Sequence, residues 1–491
     1  MDYLMGVDIG TTSVKAIAFT ETGEIVCRHA VSYGMLHPLP GFSEQDPDEI
    51  FAAVMASINR VLEQLQPLAP ALISFSAAMH SFIAVDGNNR PLTNCIIWAD
   101  NRAASIAEGL LSTPQGAWLY HTTGVPVHAM SPLCKLLWLK KQEPLLFQHT
   151  HKFIGIKEWV FSKLFGTFSV DTSIASATGL LNTVSLEWEP AVLELAGITE
   201  ERLSSVVPVE QVFYAKQDPR LPLLREGTPV IIGGSDGALA NLGTGPAGGK
   251  GLSVTIGTSA AVRILSGTPA TVKEMSVFCY HAADEQYIIG GASNNGAVVI
   301  QWIKESLLQT GESYQELFRL AESVPAGADD LLFIPYILGE RAPVWNSAAK
   351  GIFFGVTIKH TKAHLIRAAM EGITFNMYSI GRQIQQLVPI TEIYAAGGFA
   401  QSPGWLQLLA DVFNCKVLVS GSPESSALGA VMVGIKALEL SLFIQPATVA
   451  TYYPNSLYHE LYQQKFQQFE RIYKVPKNEF TSQPLPSPAP A

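Results

Sequence analysis

The sequence predicts an α/β protein of two domains, and three observations carry that expectation. Within each half of the chain, short β-branched runs alternate with amphipathic stretches of helical period. A hydroxyl-rich glycine hairpin occurs twice, once at the start and again just past the middle. And 491 residues are more than one hydrophobic core usually supports.

The elements follow in chain order. Leu4 to Phe19 reads LMGVDIGTTSVKAIAF, two apolar runs separated by Gly10-Thr11-Thr12-Ser13, which predicts a β-hairpin with a small, hydroxyl-bearing turn. Asp46-Pro47-Asp48-Glu49 supplies a cap, a proline at the first helical position and an acid three residues after the cap. Apolar residues at Ile50, Phe51, Val54, Ile58, Val61 and Leu62 then continue a helix to about Leu65. Ile73 to Ala77 reads as a strand, with Met79-His80 at its carboxyl end, where open α/β sheets place ligands. A second strand, Val230-Ile231-Ile232, runs into Gly233-Gly234-Ser235-Asp236-Gly237 and a helical stretch.

Gly243 to Gly251 is glycine-rich with no room for a helix, so the domain boundary is placed near residue 246, giving domains 1–246 and 247–478. Leu252 to Leu265 (LSVTIGTSAAVRIL) then repeats the first hairpin through Ile256-Gly257-Thr258. Ile393-Tyr394-Ala395, Gly397-Gly398 and the helical stretch Trp405 to Phe413 continue the alternation. The last residues, 479–491, carry proline at nearly every second position and read as a loose tail.

Composition excludes several classes. With 42 acidic against 32 basic side chains, the chain offers no basic stripe for nucleic acid, and its field repels polyanions. Five scattered cysteines form no CxxC pair, which argues against a structural zinc or a disulfide framework and favours the cytosol. No segment approaches the ~20 apolar residues of a membrane span, so no membrane partner is expected.

The duplicated hairpins suggest phosphate chemistry. Glycine lets a backbone approach an anion, turn amides point inward, and Thr and Ser hydroxyls donate further hydrogen bonds. One such turn alone is more often a plain hairpin. Two copies, one from each half, would meet across a cleft and cradle a polyphosphate from both sides, with Asp8 placed to hold a divalent cation.

The order Gly6-Val7-Asp8-Ile9-Gly10-Thr11-Thr12-Ser13, Gly233-Gly234-Ser235-Asp236-Gly237, Thr255-Ile256-Gly257-Thr258-Ser259 and Ala396-Gly397-Gly398-Phe399 resembles the FGGY family of carbohydrate kinases. So do Gly351-Ile352-Phe353-Phe354-Gly355-Val356 and the stretch His364 to Glu371. The resemblance covers nearly the whole chain. It implies two ribonuclease-H-like, actin-like ATPase domains facing a central cleft, ATP with Mg2+, and a small sugar or sugar acid as acceptor, with a homodimer among the assemblies it allows. It places the general base at Asp236, with metal contacts at Asp8 and Asp236. It puts phosphate contacts at Gly10, Thr11, Thr12, Ser13, Lys15, Gly257 and Thr258. Adenosine contacts fall at Ala297, Gln301, Gly397, Gly398 and Ser402.

The same resemblance puts the sugar on Met79 and His80 and on Trp98-Ala99-Asp100-Asn101-Arg102. Xylulose-phosphorylating members typically show MHG and WNDGR. This chain has Met79-His80-Ser81 and WADNR, which, with Val170 to Gly179, is more similar to the gluconate-phosphorylating members. A carboxylate substrate needs a cation or donors, and His80, Arg102 and His128 are the candidates. Arg102 paired with Asp100 or Glu108 as scaffold is an equal alternative. The expected activity is transfer of the γ-phosphoryl of ATP to a terminal hydroxyl, giving 6-phosphogluconate, with a ketose or polyol kinase as the alternative.

Other motifs compete. Gly243-Thr244-Gly245-Pro246-Ala247-Gly248 satisfies GxGxxG, but strand-like sequence follows it, and no P-loop is complete. Gly233-Gly234-Ser235-Asp236-Gly237 satisfies GxSxG between a strand and a helix, the context of a hydrolase nucleophile. His360 and His364 lack the acid of an HExxH zinc site and read as surface and packing residues. An actin-like nucleotide switch that binds a partner would share the hairpins, but has no use for Asp236, Met79-His80 or WADNR.

Overall fold

The computed structural model describes residues 2–245, 251–421 and 424–474, so the boundary at residue 246 and the tail 479–491 lie outside the described residues. The chain divides into two compact units. The first takes in the residues up to Gly251 together with Arg263–Ile289 and Ser420–Ala447; the second takes in Leu252–Val262, Gly290–Val419 and the residues from Thr448.

The first unit is built on a six-stranded sheet with the order Val212–Tyr214, Pro229–Ser235, Pro70–Ala77, Tyr3–Ile9, Ser13–Phe19, Ile25–Ser32. The first three strands in the chain form an antiparallel meander, while Pro70–Ala77 and Pro229–Ser235 join it in parallel. Alternation along the strands divides two cores: Met5, Val7 and Phe75 pack with Ile50, Val54 and Ile58 on one face, and Leu4, Ile17, Leu72 and Ile231 with Leu239, Ala427 and Val431 on the other. The first face is covered by the helix Pro47–Leu65, started by Asp46, whose side chain accepts from the amides of Asp48 and Glu49. Truncating Ile58 to alanine in this packing would cost about 2–5 kcal/mol. The second face is covered by helices Asp236–Thr244 and Ser425–Ala437. A further helical layer within residues 82–203, with its own core around Leu119, Leu133, Leu136 and Val192, stands above the carboxyl ends of the parallel strands.

The second unit has the strand Gly251–Ile256 beside Glu392–Ala396, then Lys416–Ser420 and Thr448–Tyr452, with Glu392–Ala396 parallel to Lys416–Ser420. Its longest helix, Lys362–Gln385, buries Ile366, Met370, Phe375 and Ile380. A buried ion pair at 2.7 Å joins Arg367 to Glu371, and the Trp405 indole donates to Thr374 Oγ1 at 3.0 Å. Both expected hairpins form. Gly10 N donates to Ser13 O at 3.1 Å and Gly257 N to Ser259 O at 2.9 Å, so each copy is closed by its glycine amide, the second one residue sooner than the first.

Two boundaries differ from expectation. The helix that follows the strand Pro229–Ser235 begins at Asp236, with Ser235 as its cap accepting from Ala238 N. It extends through Gly243 and Thr244, because the helix is held by Leu239 against Ser425–Ala437 and tertiary packing outweighs the weak propensity of glycine. His360 lies just before the helix Lys362–Gln385 rather than on it. His364 forms a reciprocal cap with Thr361 and meets Asp329 Oδ2 at 3.1 Å.

Candidate active site

In the first unit the turn Gly10-Thr11-Thr12-Ser13 is braced from outside. Gly10 O accepts from the Tyr33 hydroxyl, Thr11 O from Gln45 Nε2 at 2.6 Å, and Thr12 O from Tyr33 N at 3.3 Å. With three successive carbonyls engaged, their negative ends are turned away from any phosphate the turn receives. Thr12 is exposed, and Thr11 and Ser13 are half-buried. Lys15 is tied to Glu424 at 2.8 Å.

Asp8 ends the first strand, in register with Ser76 on one side and Lys15 on the other. Its Oδ1 is inaccessible and has no hydrogen-bond partner among the described residues. Burial first, and then the Asp236 carboxylate, push its pKa up to about 6. Two carboxylates that repel each other, one with an orphaned oxygen, form an oxygen donor set suited to a hard divalent cation. No group of three or more metal-ligating side chains gathers among the described residues, so phosphate and water oxygens would complete such a shell.

Asp236 is half-buried at the helix start and accepts at Oδ1 from Gly237 N at 2.6 Å. The strand leading to it is fastened by Lys157, which is 3% exposed. Its Nζ donates to Ile232 O at 3.1 Å and Gly234 O at 2.9 Å and pairs with Asp171 at 2.6 Å. Ser235, the serine of GxSxG, is fully buried. Its hydroxyl bonds to Ser173 at 2.9 Å and caps the helix, so it is no exposed nucleophile.

Of the residues expected on the acceptor, Met79 and Trp98 line a small pocket together with Gly10, Thr11, Gln45 and Ser81. His80 adopts a left-handed backbone, φ 65°. Its Nδ1 donates to Ala177 O at 2.9 Å. Trp98 donates its indole N–H to Thr11 Oγ1 at 2.9 Å, so the acceptor pocket and the phosphate turn share a bond. His128 is buried and accepts at Nδ1 from Met130 N at 3.2 Å.

Asp100 and Arg102 are placed differently from the expectation that they meet the sugar. Asp100 is completely buried, accepting from Ser43 N at 2.7 Å and from Arg102 Nε and Nη2 at 2.9 Å each. Arg102 also pairs with Glu44, not Glu108, and lies 3.9 Å over the Phe42 ring. Their charges answer each other, and the pair fixes the loop that carries Trp98. Beneath it, Lys135, also fully buried, donates to His80 O at 2.5 Å, Ile97 O at 2.9 Å and Ile96 O at 3.2 Å. Burial pushes its pKa down to about 7, opposed by Asp100.

In the second unit, Gly257 O accepts from Ala297 N at 2.7 Å, and Thr258 O from Gly296 N and Val298 N at 3.2 Å each, so the helix Ala297–Trp302 is anchored on the second hairpin turn. Gln301 is exposed and bonds to Glu305. Gly397, φ 98°, lies where a Cβ would stand 2.7 Å from Ile256 O, while nothing stands within 4 Å of a Cβ on Gly398. Only glycine fits the first position, and the second is open for a flat ligand. Ser402, expected on the nucleotide, is buried and caps the helix Pro403–Phe413 through Trp405 N.

Sequence reasoning missed Lys135, Lys157, Gln45 and Arg263. A signal was present for Lys135: it stands within the apolar stripe of Leu133, Leu136 and Leu139, where an ordinary surface lysine has no place.

Comparison with known proteins gives one answer. Residues 3–243 match the N-terminal domain and residues 252–438 the C-terminal domain of the FGGY family of carbohydrate kinases. A gluconokinase of Bacillus licheniformis is 42% identical over 449 residues, 89% of this chain and 87% of that protein. A xylulose kinase of Staphylococcus epidermidis is 30% identical over 490 residues, 97% of each. The crystal structure of gluconate kinase from Lactobacillus acidophilus superposes with a TM-score of 0.94 at 32% identity, covering 98% of this chain and 100% of that one.

Proposed function

Since the chain belongs to the FGGY family of carbohydrate kinases, we propose that it transfers the γ-phosphoryl group of ATP to the 6-hydroxyl of D-gluconate, giving 6-phosphogluconate and ADP. The observation that carries this is the half-buried Asp236 carboxylate at the head of its helix, beside a pocket walled by Met79 and Trp98, in a chain 42% identical to a gluconokinase.

Asp236 accepts the proton of the acceptor hydroxyl as that oxygen attacks phosphorus and the bond to the β,γ-bridging oxygen breaks. Lys157 keeps the strand before Asp236 in place. Met79, the His80 ring and the Trp98 face hold the acceptor. Asp100, Arg102 and Lys135 position these groups without touching the substrate, and His128 donates to the acceptor. The turn Gly10–Ser13 and the turn at Gly257-Thr258 receive phosphate oxygens, while Gly397 and Gly398, with Ala297 and Gln301, receive the adenosine. Asp8 and Asp236 would hold a magnesium ion, which when bound neutralises charge between phosphate oxygens. In the whole protein Lys15 is set by Glu424 to approach the phosphates.

No helix among the described residues is long and apolar enough to cross a membrane. The second reading, a xylulose kinase, draws on the 30% identity over nearly the whole of a Staphylococcus enzyme. Coupled assay of ADP release with D-gluconate, D-xylulose and a panel of polyols separates the two, because only the accepted sugar raises turnover above the basal rate. Asp236→Asn is expected to lower kcat by about 10³-fold or more with nucleotide affinity kept. Turnover near wild type in that variant would remove Asp236 as the base.

A further inference from the structure

Of the groups named for a carboxylate substrate, the guanidinium of Arg102 is already held by Asp100 and Glu44, and Lys135, nearby, is held by three carbonyls. Arg263, on the strand Ala260–Ser266, differs from both. Its Nε is inaccessible and has no hydrogen-bond partner among the described residues, and its charge is answered only through space by Asp236 and Tyr280. The guanidinium is half-buried with an unmet donor at its inaccessible Nε, and it remains charged at any physiological pH.

Its position is specific. Arg263 Nε and Met79 Cε each lie 3.1 Å from the point where a Cβ on Gly237 would stand, and Arg263 Cζ lies 3.3 Å away. Any larger residue at 237 would push into the guanidinium, so the residue after Asp236 is one that leaves this head room. Tyr280 stacks on Phe278 at 4.3 Å and meets the His80 ring edge-on at 5.8 Å. Arg263, Tyr280, His80 and Met79 therefore form one wall, with a cation set among the residues that take the acceptor.

We propose that Arg263 binds the carboxylate of the acceptor through its guanidinium and so makes the site select a sugar acid over its neutral counterpart. A planar fork of donors matches a carboxylate, and an anion entering here supplies the bonded partner that the protein withholds. The inference deepens the gluconate reading and rests on it.

The test compares D-gluconate with D-gluconamide, which keeps every hydroxyl and removes the charge, in wild type and in Arg263→Met. Wild type is expected to prefer gluconate. Arg263→Met should raise the gluconate KM by about 10- to 100-fold with kcat less affected, leave the gluconamide values within about threefold, and keep nucleotide affinity unchanged. Arg263→Lys should recover part of the preference. Equal losses on both substrates would make Arg263 a support for Asp236 or for the fold, and would overturn the proposal. So would a variant that keeps the wild-type preference. If Arg263→Met does not fold, Arg263→Gln, which keeps donors without charge, is judged by the same ratio. Wild type with no preference for gluconate sinks the functional reading itself, whatever the variants do.

Discussion

Lys135→Met is the perturbation whose consequences the structure specifies most fully. The ammonium is completely buried and serves three carbonyls that belong to two separate segments, His80 on one and Ile96 and Ile97 on the other. Removing it leaves three buried acceptors without that donor, each at about 1–3 kcal/mol, and relieves the cost of burying the charge. That cost depends on pH, which is what makes the variant informative. Burial lowers the lysine pKa from 10.5 to about 7, so between those values the unfolded chain holds a proton that the folded chain has released. Stability from this group is therefore fully present above about pH 10.5 and is lost as pH falls to about 7. The slope is about 1.4 kcal/mol per pH unit, so wild type should gain about 2 kcal/mol over the variant between pH 7 and 9. The flanking groups Asp100, Arg102, Cys95 and Cys134 are common to both proteins. Thermal melts at half-unit steps should show a gap that widens by about 2–3 °C over that range. A gap that stays constant, or narrows as pH rises, would refute a buried, charge-strained lysine.

Two further outcomes follow from the site. Asp8→Asn removes a carboxylate with an orphaned oxygen that Asp236 repels. The variant should melt slightly higher without nucleotide, by about 1 kcal/mol, yet need about tenfold more Mg2+ for half-maximal turnover; a lower melting point with unchanged Mg2+ demand would contradict that role. Ser235→Ala should cost about 1 kcal/mol through the lost cap and keep substantial kinase turnover. Complete loss of activity in a folded Ser235→Ala protein would reopen a nucleophilic serine.

Local pattern made some of this legible from sequence and hid the rest. The hairpins, the Asp46-capped helix and the strand ending before Met79 are short-range features, written in period, caps and turn residues. Asp236 could be named from its motif, and Ser235 as a cap is itself a local feature, but not the bond to Ser173 that buries the Ser235 hydroxyl, because Ser173 reaches it across the fold. Arg102 shows the limit best. Its nearest acid in sequence was visible, whereas Glu44 and Phe42 come from a segment brought alongside by folding, and they decide that the guanidinium braces a loop. Lys135, Lys157 and Arg263 are polar atoms inside apolar surroundings, where composition and periodicity see only an exception.

The bond from the Trp98 indole to the Thr11 hydroxyl joins two recognition events in one mechanical part. Under the proposed function, a sugar on the indole and a phosphate on the turn would bear on two ends of one hydrogen bond, so the two ligands would be felt by a single connected part.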